Sequence, residues 1–396
     1  MKICVMTPGV VHAIPRTLSF AKYFDEVHYV DTRGKDNRDY LEKQGLIYHA
    51  AYSDGGRRFG WSEMQRLLRQ ISPDGIVCHF ASGSHFFHSI LYSRCPVAVI
   101  AMGSDILYEK GDLHVSRLRR ILIRMTLRRT DYISAKSKLM AERIRSYDYG
   151  IRTEINYWGT NLDDFSQRNK TESRDKLGLP EEVPVILSPR AVQPLYNIHL
   201  IVKAIAQLKY VFPQLVLVVL GRSIESYKKR VEETILECGL SQNVRLVYEV
   251  SHTQLADYFC AADIVVSMAK SEGFPNTILE AMACQRPILV GRIEPVEELL
   301  VDGFNATLCA IDPEAIGNAM LRMLERPDEC ARLAIEGRRT VEEHGNIERN
   351  GESFARAFAA VIEQCRSDCR RSPIRVLPLY PILMAHQLRE RLSGWI

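Results

Sequence analysis

Nothing in this sequence approaches the run of about 18 apolar residues that a membrane-spanning helix requires. The N-terminus, MKICVMTPGVV, does not look like a secretion signal either. Its single lysine precedes a short apolar run that ends in Thr-Pro-Gly, with no small-residue cleavage site. A cytoplasmic protein is the expectation. The 10 cysteines are scattered and form no Cys-x-x-Cys; Cys365 and Cys369 are the nearest pair. Most others, such as Cys4, Cys78 and Cys260, sit in apolar runs. They read as small buried hydrophobes in a reducing compartment, and no zinc site is expected. An excess of one charge is missing too. The 52 Lys and Arg against 48 Asp and Glu leave +4, too slight to single out nucleic acid as a partner.

Internal repeats and low-complexity tracts are also absent. What is present is a rhythm. Short apolar runs (KICVM, EVHYV, GLIYH, GIVCHF, VAVIAM, YISAKS) alternate with helical patterns near 15–24, 61–71, 84–94 and 138–146. The rhythm restarts after residue 180 with VPVILS, LVLVVL, VRLVY, DIVVSM and PILVG, and helices near 197–210, 225–238, 253–260, 294–300, 313–325 and 327–343. Such alternation implies parallel sheets covered by helices on both faces. The 396 residues, 46% of them hydrophobic, suffice for two cores. The expected division is 1–165, a polar linker at 166–182, a second domain at 183–364 and a tail at 365–396. The tail, apolar and basic, would cover the first domain, pair with another chain or touch lipid.

The stretch 115–129, VSRLRRILIRMTLRR, carries six Arg interleaved with Leu118, Ile121, Leu122, Met125 and Leu127. It reads as a basic amphipathic helix. A solvated surface face and a contact with an anionic membrane or acceptor both fit it.

The chemistry concentrates in SEGFPNTILEAMAC, residues 271–284. DIVVSM before it reads as a strand and NTILEAMAC as a helix. Gly273 permits a tight turn and Pro275 suits a first-turn position. The helix therefore begins at about Phe274 to Thr277, and its free N–H groups and dipole suit a phosphate. Glu272, in the turn, would repel that phosphate but can accept hydrogen bonds from sugar hydroxyls. Glu280, three residues after Thr277 on the same face, can do so for a ribose. A diphosphate between two hydroxyl-rich rings is a nucleotide sugar. On these residues alone, a first-turn acid and a surface carboxylate fit as well.

The segment resembles the E-x7-E signature of the retaining GT-B glycosyltransferases of family 4. The likeness runs through ADIVVSMAKSEGFPNTILEAMACQRPILVGRIEPVEELLVDGFNATL, residues 262–308, and is weaker over SPRAVQPLYNIHLIVKAI, ADYFCAADI, YWGTNLDDF and IAMGSDI. It implies an α/β chain of two Rossmann-like, doubly wound domains facing a central cleft, the first for the acceptor and the second for the nucleotide-sugar donor. It implies that Glu272 binds the donor sugar's hydroxyls and acts at the reacting centre. Gly273, Phe274, Pro275, Asn276 and Thr277 would hold sugar and diphosphate, largely by backbone N–H groups. Glu280 would bind the ribose, Arg190 clamp the diphosphate, and Val250, within Tyr248 to Ser251, contact the base.

The sequence departs from that pattern. Tyr196 stands where the family has a second diphosphate clamp, a lysine, and Asn197 where it has glycine. Met102 replaces the usual histidine before Gly-Ser-Asp, and Gln285 replaces a glycine. With Met102 uncharged, Asp105 and His79 become the catalytic candidates of the first domain. Gly9, His12, Ser104 and Asp105 are the acceptor candidates, on loops after strands. For His12, His79 and Asp105, a loop, core or capping role is an open alternative. His85 and His88, at i and i+3, lack an acidic partner, and no Asp-x-Asp occurs; no metal and no cofactor are expected. The expected activity is metal-independent, retaining transfer of a sugar from a nucleotide diphosphate to a glycan or lipid-linked acceptor in cell-envelope polysaccharide synthesis. A peripheral contact with the inner membrane face through 115–129 is left open. The missing Lys and His motivate the alternative of a non-catalytic binding or partner subunit.

Overall fold

In the computed structural model, two all-parallel sheets share one strand order. Residues 1–9, 13–32, 37–52, 59–92, 94–103, 105–107, 123–147 and 150–367 are described. The first sheet contains β1 (Lys2–Thr7), β2 (Glu26–Asp31), β3 (Ile47–Ala50), β4 (Gly75–His79), β5 (Val97–Ile100), β6 (Tyr132–Ala135) and β7 (Thr153–Ile155). Its order is β3-β2-β1-β4-β5-β6-β7. The second contains β8 (Val185–Ser188), β9 (Val216–Leu220), β10 (Val244–Val247), β11 (Ile264–Ser267), β12 (Ile288–Gly291) and β13 (Thr307–Cys309), ordered β10-β9-β8-β11-β12-β13. Each sheet reverses direction once, between β1 and β4 and between β8 and β11. In open parallel sheets ligands bind beyond the strand C-termini at that reversal.

The strands are continuous apolar runs because both faces are covered. Along β1, alternate residues feed opposite cores. Cys4 and Met6 join one cluster with Ile76, Cys78 and Phe86. Ile3 and Val5 join another with Tyr132, Trp158, Phe354 and Phe358. In the second sheet, Ile186, Leu217, Val219 and Val266 pack against Ile198, Ile201, Val202 and Ile205 of helix Ile198–Leu208.

The division into units differs from the sequence expectation. The second unit is Gly159–Asn346, and the chain from Ile347 returns to the first. Helix Ile347–Ser367 buries Phe354, Phe358, Val361 and Ile362 in the β1 core. It approaches helix Ala13–Ala21 so closely that a Cβ on Gly351 would lie 2.3 Å from Ser19 Oγ. Residues 347–364 therefore belong with the first sheet.

Nor is 166–182 a linker. Asn169 caps helix Lys170–Lys176, its side chain accepting from Glu172 N at 3.1 Å. Arg174 is buried and donates to the carbonyls of Ala261 and Val183 and, at 2.7 Å, to Asp263. Asp263 in turn accepts from Val185 N at 2.7 Å, fixing the start of β8. The segment is polar because hydrogen bonds rather than apolar burial hold it. Residues 368–396 and most of 115–129 lie outside the described residues. Among the described residues no helix is long and apolar enough to cross a membrane.

Candidate functional site

Two loops leave the second sheet at its reversal. The loop after β8 carries Arg190, a short 3-10 turn at Pro194–Tyr196, and Asn197. The loop after β11 carries Lys270, Glu272 and Gly273 before helix Asn276–Ala283. Two hydrogen bonds stitch them together: Asn197 Nδ2 to Met268 O at 3.0 Å, and Lys270 N–H to Leu195 O at 2.9 Å.

Arg190 sits where the loops meet. Its Nη2 pairs with Glu272 Oε1, and its Nη1 donates to Thr277 Oγ1 at 2.8 Å. Its Cζ lies 4.0 Å from the centre of the Tyr196 ring. Burial pulls its pKa down from the ordinary guanidinium value, and Tyr196 and Glu280 oppose that shift. Each member of this pair keeps one buried atom that has no hydrogen-bond partner among the described residues, Arg190 Nε and Glu272 Oε2. A buried polar atom without a partner is costly unless something else satisfies it.

Pro275 is the N-cap of helix Asn276–Ala283, so no side chain caps the first turn. The positive end of the helix dipole favours an anion there. Phe274 is buried and anchors the loop, while Asn276 donates to Gly159 O at 3.2 Å. Glu280 follows Thr277 by three residues on the same helix, half-buried. Gly273 and Pro275 are buried in the turn between. Asn197 adopts φ +51°, which explains why glycine is at home there and why Asn tolerates the position. Its amide donates to Met268 O and holds the loop junction. Val250 lies at the same sheet edge, after β10, with β9 between it and the Arg190 strand.

In the first unit two of the candidates are buried. Asp105 is buried and accepts from Ala81 N at 2.7 Å, Met102 N at 3.0 Å and Gly103 N at 2.8 Å. Its carboxylate ties together the loops after β4 and β5. His79 is fully buried, with Nε2 at 3.1 Å from Thr17 Oγ1. Thr17 gives its own proton to Ala13 O at 2.8 Å. The imidazole N–H is therefore on Nε2. Burial, then the Arg16 charge, push the His79 pKa well down. It is a neutral histidine of the core.

Gly9 has φ +66°, and a Cβ there would come within 2.8 Å of Asp31 Oδ1. Asp31 therefore demands this glycine. His12 and Ser104 lie outside the described residues. His85 donates to His79 O at 2.7 Å, and His88 is buried. Among the described residues no three His, Cys, Asp or Glu gather as a metal site.

Sequence reasoning passed over Arg16. It is buried in helix Ala13–Ala21, and its Nη1 points at Met102 Sδ, 2.8 Å away. A lone Arg in the first turns of an apolar helix was the available signal. Lys270, exposed beside Glu272, was passed over as well.

Two sequence profiles match this chain. Residues 2–137 match the Glycosyl transferase 4-like family, and residues 169–340 match Glycosyl transferases group 1. The chain belongs to the group 1 glycosyltransferases, with the GT-B fold. Among curated proteins, D-inositol 3-phosphate glycosyltransferase 2 of Catenulispora acidiphila is 32% identical over 212 residues, which are 51% of this chain and 49% of that protein. A D-inositol 3-phosphate glycosyltransferase of Streptomyces scabiei is 27% identical over 263 residues, 62% of this chain and 58% of that one. The chain spans about half the length of the curated relatives it matches. Among solved structures, Anabaena HepE in complex with UDP and glucose has TM-score 0.77 at 18% identity, covering 91% of this chain and 100% of that one. Sucrose-phosphate synthase of Thermosynechococcus elongatus has TM-score 0.79 at 16% identity, covering 92% and 100%. At such identities the likeness speaks for the fold.

Proposed function

We propose that this protein is a retaining glycosyltransferase that moves a sugar from a nucleotide-diphosphate donor to a glycan or lipid-linked acceptor in cell-envelope polysaccharide synthesis. One observation carries the donor half of the reading. Arg190, Thr277, Glu272 and an uncapped helix N-terminus converge at the reversal of the second sheet. A guanidinium beside a helix N-terminus suits a diphosphate. A carboxylate with one oxygen still to be satisfied suits sugar hydroxyls. Glu280, one turn further on, suits a ribose.

As the glycosidic bond breaks, the leaving diphosphate gains negative charge. Donors fixed in advance toward that charge lower the barrier, and here Arg190 and the helix N-terminus are the fixed donors. They make a metal unnecessary for this task. The UDP and glucose bound in HepE, and the inositol-phosphate glycosyltransferases among the relatives, support a nucleotide-sugar donor.

The test is a thermal-shift panel of nucleoside diphosphates and nucleotide sugars on the wild type and Glu272→Ala. A ligand that binds only the folded protein raises its melting temperature. One nucleotide sugar should stabilise the wild type. In the variant its gain should shrink to that of the bare nucleotide. No shift by any nucleotide at millimolar concentration would defeat the donor reading.

A further inference from the structure

Helix His252–Ala261 connects β10 to β11, and helix Asn276–Ala283 connects β11 to β12. Both start at the C-terminal edge of the second sheet, after the loops that carry Val250 and Gly273, and each ends at a cysteine. Cys260 lies in the last turn of the first helix, and Cys284 is the C-cap of the second. Both residues are fully buried. One side chain holds the two helix ends together. Arg286 donates from Nε to Cys284 O at 3.2 Å and from Nη1 to Cys260 O at 3.5 Å. The thiols are hydrogen-bond partners, with Cys284 donating to Cys260. Cys260 Sγ itself donates to Ser166 O at 3.4 Å. A further guanidinium, that of Arg338, donates to Ala283 O, next to Cys284, at 2.6 Å.

Guanidinium groups and a donated hydrogen bond favour a thiolate. The Cys284 hydrogen bond, helped by the charges of Arg286 and Arg168, holds the Cys260 pKa below the ordinary thiol value against the effect of burial. Burial pushes Cys309 and Cys330 up to about 11 and Cys78 up to about 12. A cavity of about 360 Å³ reaches Arg286, Gln285 and Ala262, so a water-sized reagent can come up to the residues that follow both cysteines.

We propose that Cys260 and Cys284 are a redox-active dithiol, which a hydroperoxide closes into a disulfide that ties the ends of the two helices together. The Cys260 sulfur attacks one peroxide oxygen. The O–O bond breaks, the departing oxygen takes the thiol proton and leaves as water, and Cys260 becomes a sulfenic acid. The Cys284 sulfur then displaces that hydroxyl, which leaves with the Cys284 proton as a second water. The two thiols lose two electrons and the peroxide gains them.

Peptide mapping tests it. The wild type is treated with hydrogen peroxide in small molar excess, its remaining thiols are alkylated in denaturant, and the digest is read by mass spectrometry. The Cys260 and Cys284 peptides should appear joined, and dithiothreitol should separate them. Cys284→Ser should stop at the sulfenic acid of Cys260, which dimedone traps. Cys260→Ser should keep Cys284 as a thiol. Amides of 276–283 should exchange hydrogen more slowly in the bridged protein than in the reduced one. The wild-type map is decisive even where a serine variant does not fold. Peroxide that oxidises methionines or other cysteines while Cys260 and Cys284 both stay open to alkylation would overturn the proposal. So would a disulfide through another cysteine in place of this pair, dimedone on Cys284 in Cys260→Ser, or equal exchange at 276–283 in the two forms.

Discussion

Arg190 and Glu272 form an ion pair with side-chain exposures of 7% and 13%, across the two loops that leave the second sheet at its reversal. The pair does two things. It aims the guanidinium at Thr277, and it leaves Glu272 Oε2 and Arg190 Nε with capacity to spare. Removing one member of a pair this buried strands the other charge, at a cost of about 3–5 kcal/mol. Arg190→Ala should therefore lower thermal stability and abolish stabilisation by nucleoside diphosphates. In Arg190→Ala/Glu272→Gln the stranded charge is gone. That variant should regain most of the stability and none of the nucleotide response. Calorimetric melting with and without nucleotide separates the two effects, and a double variant that regained the nucleotide response would show that Arg190 is not the diphosphate clamp.

Glu280 is separable from the phosphate groups. It follows Thr277 by one turn, beyond the helix N-terminus that suits the diphosphate. Glu280→Gln should weaken a nucleoside diphosphate by about tenfold, the value of a hydrogen bond to a charged group. It should leave inorganic pyrophosphate almost unchanged. Equal losses for both ligands, measured by titration, would mean that Glu280 acts on the phosphates or on Arg190 and not on a ribose.

Asp105 distinguishes a fold-holding carboxylate from a catalytic one. Its oxygens accept N–H groups from Ala81, Met102 and Gly103. Asp105→Ala orphans these donors and should cost roughly 3 kcal/mol or more. Asp105→Asn keeps one acceptor oxygen and should lose less stability. Once folded, it should retain turnover within about threefold of the wild type, since no proton transfer by Asp105 is needed. A well-folded Asp105→Asn without turnover would restore the catalytic assignment.

The parallel sheets and the Glu272–Glu280 loop were legible for different reasons. Doubly covered strands are continuous apolar runs, whereas the loop was read through its likeness to a known signature, its residues alone fitting a first-turn acid and a surface carboxylate as well. The destination of residues 347–364 was not legible. Phe354, Phe358, Val361 and Ile362 announce an apolar helix face, but a face does not name the sheet it will cover. Helix Lys170–Lys176 was hidden differently, since Arg174 is held by carbonyls and Asp263 in a segment whose composition reads as solvent-exposed. The burial of Asp105 was not legible, because an Asp after a strand looks the same in sequence whether it faces a substrate or three backbone N–H groups. Asn197 shows the reverse: its φ of +51° accounts for a departure from glycine that the sequence could only record.

Acid should destabilise the protein through histidines that fold in their neutral form. Burial, followed by Arg230, Lys203 and Lys270, brings His199 down to about 4. Burial, followed by His28 and Arg38, brings His49 down to about 4. A histidine with a depressed folded-state pKa binds its proton more readily in the unfolded chain. Its contribution is complete above the unfolded value, about 6.5, and is lost as pH falls from there toward 4. The melting temperature should therefore decline between pH 7 and pH 4.5. His199→Asn offers Tyr227 a comparable polar partner without a titrating ring, in place of the 2.7 Å contact from Nδ1. Its melting temperature should fall less steeply over the same interval. Identical slopes for the two proteins would assign the acid sensitivity to other groups, His49 first among them.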